Sequence, residues 1–435
     1  MSIPVVTVGQ RGDDLVGGLE RLHGPVTIVR RCAELPELLA ACQSGLARAA
    51  VVAEGSEGLT ASLVDRLGAV GVVIVALTDD LAESARLKSI GVTTATASVE
   101  SSVLSDRIAE AVSQMGASGG RGLPGNVRVG QLTTQEQPAE PWAPVGDASG
   151  SGRVIAVWGP AGAPGRTTLA ANIAGELAGE GQKVLLVDAD TYGASIAAVL
   201  GLMDESAGLA QACRLADQGL LDADALRRTT ITIAAAAGSF GVLTGITRAD
   251  RWTELRARAL SLVVERARQL HDVVILDTGF NLEAEEDLSF DTAAPRRNAA
   301  TLRSLELADT IYAVGAADPV GIPRLVRGLA ELANTLPQAA PVVVLNKVRS
   351  SAVGRNPERQ LRDAWQRFGP SPKLALFLPY DRAAADAALL VGSLLLEAAP
   401  DSNLRQAIRN IVCASDQQKR KSSVFSSTPW RQRKG

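Results

Sequence analysis

The chain has 435 residues, of which 46% are hydrophobic, 21% charged and 3% aromatic, and its formal net charge is −3. These values fit a globular protein of two or three domains and exclude a collagen-like or wholly disordered chain, as well as a polyanion binder that acts through bulk charge. With so few aromatics, the core must rest on Val, Leu, Ile and above all Ala, a composition suited to helices packed closely on a sheet.

Cys32, Cys42, Cys213 and Cys413 stand far apart, with no CxxC pair and no neighbouring His. They read as reduced, mostly buried thiols, and the spacing argues against a zinc site. No basic segment followed by an apolar run opens the chain, so no signal peptide is expected. No stretch reaches the roughly 18 apolar residues of a spanning helix. A cytoplasmic protein is expected, reaching the pole, septum or inner membrane face only through partners.

In chain order, residues 1–115 alternate short apolar runs with helical patterns. Strands are predicted at Pro4–Val8, Val26–Val29, Ala49–Ala53 and Val72–Leu77, with a weaker one near Thr93–Ala97; helices fall between them, as at Leu35–Gln43 and Val103–Val112. Such alternation implies a parallel sheet covered on both faces. Residues 116–150 are rich in Gly, Pro, Ser and Gln without periodicity and read as a flexible linker. Residues 151–413 resume the α/β alternation, and residues 414–435 form a polar, basic tail expected to be disordered.

The order of the first block resembles the response-regulator receiver. A working receiver would place acidic residues after its first strand and a phosphate-accepting Asp at the end of its third. Here Gly9, Gln10 and Arg11 follow the first strand, Ala53-Glu54 closes the third, and the fifth offers Thr and Ser instead of Lys. Asp13 and Asp14 fall late and read as a solvated helix start. The block is therefore a pseudo-receiver, an interaction domain that is not phosphorylated.

The second block opens RVIAVWGPAGAPGRTTLAANIAGELAGEGQKVLLVDAD. Val154–Trp158 reads as a buried strand. The segment after Thr167 reads as a helix, with Leu169, Ala170, Ile173, Ala174 and Leu177 at helical spacing; Gly179–Gly181 closes it, and Lys183–Val187 is the next strand. A Gly-rich turn between strand and helix aims backbone N–H groups and the positive helix end at an anion. The candidate phosphate cradle comprises Gly159, Ala161, Gly162, Ala163, Pro164, Gly165, Arg166, Thr167 and Thr168, with the Thr167 hydroxyl placed to complete a Mg²⁺ shell. The pattern departs from G-x-x-x-x-G-K-[ST]: Pro160 stands at the first Gly and Arg166 at the Lys, and a planar guanidinium does not replace an ammonium neutrally.

Downstream, VLLVDAD carries Asp188 and Asp190, HDVVILDTG carries Asp277, VVVLNKV carries Asn346, and LFLPYD carries Pro379. With IYAVGAADPVGIPRL between them, these segments fall in the order found in ParA/MinD-type ATPases, which the second block resembles over about 260 residues. The resemblance implies ATP and Mg²⁺ as ligands. Asp277 would be the Walker B carboxylate, holding a Mg²⁺-bound water, and Asp188 the neighbouring aspartate on the metal side. Asp190 would orient the attacking water. Asn346 would read adenine, with Pro379 also at the nucleotide. It implies a nucleotide-dependent homodimer as well. The family's second loop Lys, which reaches the partner's nucleotide, is Ala161 here.

A receiver-like domain ahead of a divergent ParA/MinD domain is similar to the CpaE/TadZ subgroup, which is associated with localising the assembly machinery of tight-adherence (Flp-type) pili. The resemblance implies pilus or secretion proteins as partners, reached through the pseudo-receiver. Two alternatives stay open: a scaffold with no nucleotide control, and a septum-site or chromosome-partitioning ATPase. If ATP is hydrolysed at all, turnover should be weak.

Glu283, Glu285, Glu286, Asp287 and Asp291 form an acidic run balanced by Arg296 and Arg297, read as a solvated loop. Arg324 and Arg327 lie three apart on a predicted helix and are weak support for DNA contact. The tail, with Lys419, Arg420, Lys421, Arg431, Arg433 and Lys434 around Phe425 and Trp430, lacks the apolar stripe of a membrane helix, and membrane contact is only weakly supported. His23 and His271 are isolated.

Overall fold

The computed structural model describes residues 2–9, 13–22, 24–118, 152–202, 206–236, 238–284, 296–370 and 374–413. Most of the linker, the tail, His23, Gln10, Arg11 and the acidic residues Glu285, Glu286, Asp287 and Asp291 lie outside these residues, as do the side chains of Asp13 and Asp14. The described chain forms two compact units, each built on its own sheet.

The N-terminal unit runs β1 (Ile3–Val8), α1 (Asp13–Arg21), β2 (Val26–Cys32), α2 (Leu35–Gln43), β3 (Ala49–Val52), α3 (Ala61–Ala69), β4 (Val73–Leu77), α4 (Leu81–Ser89), β5 (Thr93–Ala95) and α5 (Ser101–Ser118). All strand pairings are parallel, in the order β2-β1-β3-β4-β5. That is the receiver-like order expected from the alternation. The central strands AAVV and VIVAL are buried along their whole length, as a sheet covered on both faces requires. Local signals set the helix starts. Thr60 accepts from Leu63 N and Asp80 from Ala82 N as N-caps, and Pro36 opens α2 without giving up a needed donor. Glu54, two residues beyond the end of β3, approaches the end of the first strand: a Cβ on Gly9 would lie 2.8 Å from Glu54 N. A glutamate thus occupies the region where a receiver would present its aspartate.

The C-terminal unit begins β6 (Arg153–Trp158), α6 (Arg166–Gly179), β7 (Val184–Ala189), α7 (Ile196–Val199), α8 (Gly208–Asp217) and α9 (Ala223–Thr229). It continues β8 (Ile231–Ala235), β9 (Gly238–Leu243), α10 (Ala257–Leu270), β10 (Val273–Thr278), α11 (Ala299–Glu306), β11 (Thr310–Ala316) and α12 (Gly321–Thr335). β12 (Val342–Val348), α13 (Ser350–Val353), α14 (Pro357–Phe368), β13 (Leu374–Pro379), α15 (Arg382–Val391) and α16 (Leu395–Ala398) follow, and residues 403–413 are helical. The sheet order is β13-β12-β11-β6-β10-β7-β9-β8, parallel except for the β8/β9 hairpin at one edge.

Period-two alternation divides the core between the sheet's faces. Val154, Ala156 and Trp158 of β6 pack on one side with Leu260, Val263 and Leu325. Ile155 and Val157 pack on the other with Leu169, Ile173 and Leu177 of α6. Helix α6 is buried almost all round, so its polar residues need partners inside. Asn172 accepts from Leu395 N at 2.8 Å, and Glu176 pairs with Arg405 at 2.7 Å. Cys32, Cys42 and Cys213 are buried thiols and Cys413 is half-buried. Among the described residues, no helix is long and apolar enough to cross a membrane.

Strand β6 lies between β11 and β10, and the chain leaves it in opposite directions along the sheet. Ligands gather at such a switch point, outside the carboxyl ends of the strands. Close packing there demands glycine: a Cβ on Gly159 would lie 2.2 Å from the Val314 carbonyl oxygen of β11. Gly159→Ala is therefore expected to cost about 2–4 kcal/mol, because the obstacle is strand backbone rather than a movable side chain. Chemical denaturation checks this; a loss below about 1 kcal/mol would show that β11 yields.

Candidate functional site

The loop between β6 and α6 takes its shape from three left-handed residues, Gly162 (φ +112°), Ala163 (φ +51°) and Gly165 (φ +98°). Glycine adopts this conformation freely, whereas Ala163 does so at some cost. Gly165 has a second reason to lack a side chain: a Cβ there would meet Asn346 Nδ2 at 2.4 Å. Asn346, in β12, holds the loop from beneath. Its Nδ2 donates to the Pro164 carbonyl at 2.8 Å, and its Oδ1 accepts from Lys347 N at 2.7 Å. Each end of the amide keeps one further bonding position. Lys347, itself left-handed at φ +60°, donates from Nζ to the Ala163 carbonyl at 2.8 Å.

The loop borders a cavity of about 680 Å³, lined by residues 161–168, Asp190, Tyr192, Asn346, Pro379 and the turn Tyr380–Arg382. The size and mixed lining suit a nucleotide-sized ligand. Ala161, Gly162, Ala163, Pro164, Gly165, Arg166, Thr167, Thr168, Asp190, Asn346 and Pro379 are thus brought to one cavity, while Gly159 lies at the root of the loop. Asp188 and Asp277 are paired across adjacent strands and fully buried rather than on the cavity wall.

The three aspartates differ in how they are satisfied. Asp188 Oδ2 accepts from Ser195 N and Ile196 N, both at 2.9 Å, and its Oδ1 faces Asp190 N at 3.4 Å. Burial nonetheless raises its pKa, and the Asp190 charge adds to that, against these N–H groups. Asp190 Oδ1 accepts from Tyr192 N at 2.8 Å and Gly193 N at 3.1 Å, and its Oδ2 pairs with Arg166 at 3.1 Å. Among the described residues neither oxygen of Asp277 meets the full geometry of a hydrogen bond, although the Thr167 hydroxyl stands close enough to act on it. Burial pushes its pKa well above the usual carboxylate range and Asp188 adds to this; the nearby Thr167 hydroxyl and Arg166 guanidinium pull the other way and do not prevail.

A buried carboxylate with neither oxygen fully hydrogen-bonded, beside a threonine hydroxyl, is a site that fits a cation. Among the described residues, no group of three or more His, Cys, Asp or Glu side chains could hold a metal by itself. Mg²⁺ does not need such a cage, since it keeps several waters and is held by one or two carboxylates plus ligand phosphates.

Arg166 turns inward. Besides Asp190 it donates to the Gly159 carbonyl at 2.9 Å and more weakly to Pro160 O at 3.4 Å. Its side chain is 13% exposed. The cation at the loop's Lys position is thus engaged by its own chain.

Sequence reasoning missed Tyr192. Its ring packs 4.8 Å from Phe280 and carries the Arg297 guanidinium 3.9 Å from its centroid. Its hydroxyl donates to Asn298 Oδ1 at 2.7 Å, and Asn298 in turn donates to Glu283 O. Tyr192 thereby joins the turn after Asp190 to both ends of the segment that follows Asp277. A lone Tyr two residues after a strand-end Asp carries no motif that would have singled it out. Lys347 and Tyr380–Arg382 were likewise unmarked. Of the two helix arginines, Arg327 donates to Pro323 O of its own helix, whereas Arg324 lies against the loop, so they do not form one patch.

The fold and site together define a nucleotide-binding protein of the P-loop class. The chain belongs to the CobQ/CobB/MinD/ParA nucleotide binding domain family, whose profile matches residues 155–390, just over half of the chain. Similar solved structures include the cell division ATPase MinD of Pyrococcus furiosus, at 19% identity and TM-score 0.47, covering 61% of this chain and 99% of that one. A ParA family ATPase from Chlorobium tepidum TLS stands at 19% and 0.46, covering 60% and 98%. The septum site-determining protein MinD of Pyrococcus horikoshii OT3, solved with Mg-ADP, stands at 18% and 0.47, covering 61% and 97%. No curated protein matches the chain. The assignment rests on the family profile.

Proposed function

We propose that this protein is an ATP-binding spatial organiser of the CpaE/TadZ type. A nucleotide-controlled dimer would recruit tight-adherence pilus machinery through the pseudo-receiver, with hydrolysis weak or slow. The observation that carries the nucleotide part is the buried Asp277 carboxylate beside Thr167, at the base of a Gly-rich loop that opens α6 with no side-chain cap on its N–H groups. Mg²⁺ would be held by the Thr167 hydroxyl and by waters toward Asp277 and Asp188, where it would neutralise phosphate charge. Asn346 and Pro379 would meet the base.

Weak hydrolysis is supported by the state of Arg166 and Asp190. The carboxylate assigned to orient water already spends both oxygens, and the arginine in the Lys position is held by the same carboxylate. Freeing either requires breaking their ion pair, which the γ-phosphate could do by competing for Arg166. That competition offers a physical route by which triphosphate and diphosphate would differ in their effect on the turn at Tyr192. The pilus assignment is supported by domain order, a five-stranded receiver-like unit ahead of the P-loop unit. A MinC:MinD complex among the similar structures illustrates partner recruitment by another protein of this fold.

Sedimentation with ATP, ADP or no nucleotide in Mg²⁺ tests the control. Self-association with ATP alone is expected; the same mass in all three conditions would leave a nucleotide-independent scaffold as the better reading. Asp190→Ala is expected to leave ATP affinity within about threefold and to remove residual hydrolysis. Unchanged turnover in that variant would refute the role of Asp190.

A further inference from the structure

Arg324 lies against the candidate phosphate loop. It sits in the first turn of α12 and is exposed, and no hydrogen bond or ion pair of its guanidinium occurs among the described residues. Its Nη1 is close enough to the loop that a Cβ on Gly162 would lie 2.5 Å from it. A small recess of about 100 Å³ opens there, between Pro160–Gly162 and Ala316–Gly321.

The one carboxylate lining that recess faces the helix backbone through its Oδ1. Asp318 accepts from Val320 N at 3.0 Å and Gly321 N at 2.7 Å, capping α12. Those two bonds, the Gly321 one foremost, hold its pKa below the usual range, aided by the charges of Arg349 and Lys347. The start of α12 thus takes up that oxygen, and no ion pair between Asp318 and Arg324 occurs among the described residues. The loop's own cation is not free in the same way, since Arg166 is committed to Asp190 and two loop carbonyls. A triphosphate in the cradle would bring several negative charges to a loop whose interior cation is already paired.

We propose that Arg324 is the phosphate-binding cation of this site, supplied by α12 from outside the loop and selective for the terminal phosphate of a nucleoside triphosphate. The inference rests on the reading that the loop takes such a nucleotide. A guanidinium suits the task because its planar fork can bind two phosphate oxygens at once. Arg324 lines the outer recess and not the 680 Å³ cavity. The phosphate it meets is therefore either that of its own loop, after the side chain swings over Gly162, or that of a second copy facing the loop. The chemistry is the same in both.

The test uses the full chain and Arg324→Ala, with Arg324→Lys as the conservative control. Binding of ADP and of a non-hydrolysable ATP analogue is measured by calorimetry in Mg²⁺, and mass with the analogue by sedimentation. Losing a charge-assisted bond to phosphate should weaken analogue binding by about tenfold or more in Arg324→Ala, leave ADP within about twofold, and be partly restored by Lys. Loss of affinity at concentrations where the chain is monomeric assigns the contact to its own nucleotide. Loss confined to analogue-driven self-association assigns it to the facing copy's. Analogue affinity and mass both equal to wild type would overturn the proposal, as would an equal fall for ADP. A wild-type chain that binds neither nucleotide would overturn the underlying reading instead. The thermal melt should not move, because no hydrogen bond or ion pair of the guanidinium occurs among the described residues.

Discussion

Replacing Asp277 with Asn is expected to stabilise the nucleotide-free protein while abolishing Mg²⁺-dependent nucleotide binding. The two effects have one cause. Asp277 is fully buried, and among the described residues neither of its oxygens completes a hydrogen bond, the Thr167 hydroxyl being the nearest donor. Its pKa is raised by burial and by Asp188, so ionising it in the folded state opposes folding. Removing the charge should return about 1–2 kcal/mol, reduced from the full desolvation cost because Asn brings an amide with bonding needs of its own. The sign of the pH dependence follows. Below the unfolded-state pKa, near 4, the carboxyl is neutral in both states and the variant gains little. As pH rises from there, only the unfolded chain ionises freely, wild type loses stability, and the variant's advantage grows. Melting curves in chelator across pH 4–8 check this. A variant less stable than wild type at neutral pH would show that Asp277 has a hidden partner and is not held ready for a cation.

The second large effect is expected at Arg166. Arg166→Ala deletes one member of a mostly buried ion pair together with two bonds to loop carbonyls, and should cost about 2–4 kcal/mol. Asp190 keeps its bonds from Tyr192 N and Gly193 N, which limits the loss. Arg166→Lys should behave differently. An ammonium is a compact point charge and cannot span Asp190, Gly159 O and Pro160 O with a planar fork. It should be released more readily to phosphate, giving ATP hydrolysis equal to or faster than wild type, with stability falling less than in the Ala variant. Turnover assays beside denaturation curves separate the cases. A collapse of nucleotide binding in the Lys variant would show that the loop has adapted to arginine.

The contrast between these residues marks what could be read in the sequence. Strands such as VLLVDA and VVILDT are continuous apolar runs that end in aspartate, and both the sheet and its ligand edge follow from them. Asp188, Asp277, Asn346 and Pro379 were accessible because each closes or nearly closes such a run. The β8/β9 hairpin was not, since Ile231–Ala235 and Gly238–Leu243 are short runs broken by Ala, Gly and Ser, and the outer strand is at most half-buried. The direction of Arg166 was not legible either. A side chain at the Lys position of a phosphate loop is expected to face the ligand, and only the tertiary placement of Asp190 and two carbonyls turns it inward. Tyr192 lies outside every local pattern, and Arg324 was marked only as one of a helix pair, because their meaning comes from residues about 100 and 160 positions away, Asn298 and Gly162.

The loop is expected to bind a nucleotide although Ala161 and Arg166 stand where the family has its two loop lysines. Calorimetry of the full chain with ATP, with and without Mg²⁺, tests it most directly. Saturable binding that strengthens with Mg²⁺ is expected, as the buried Asp277 carboxylate and the Thr167 hydroxyl require. No heat of binding at millimolar ATP in Mg²⁺ would contradict it.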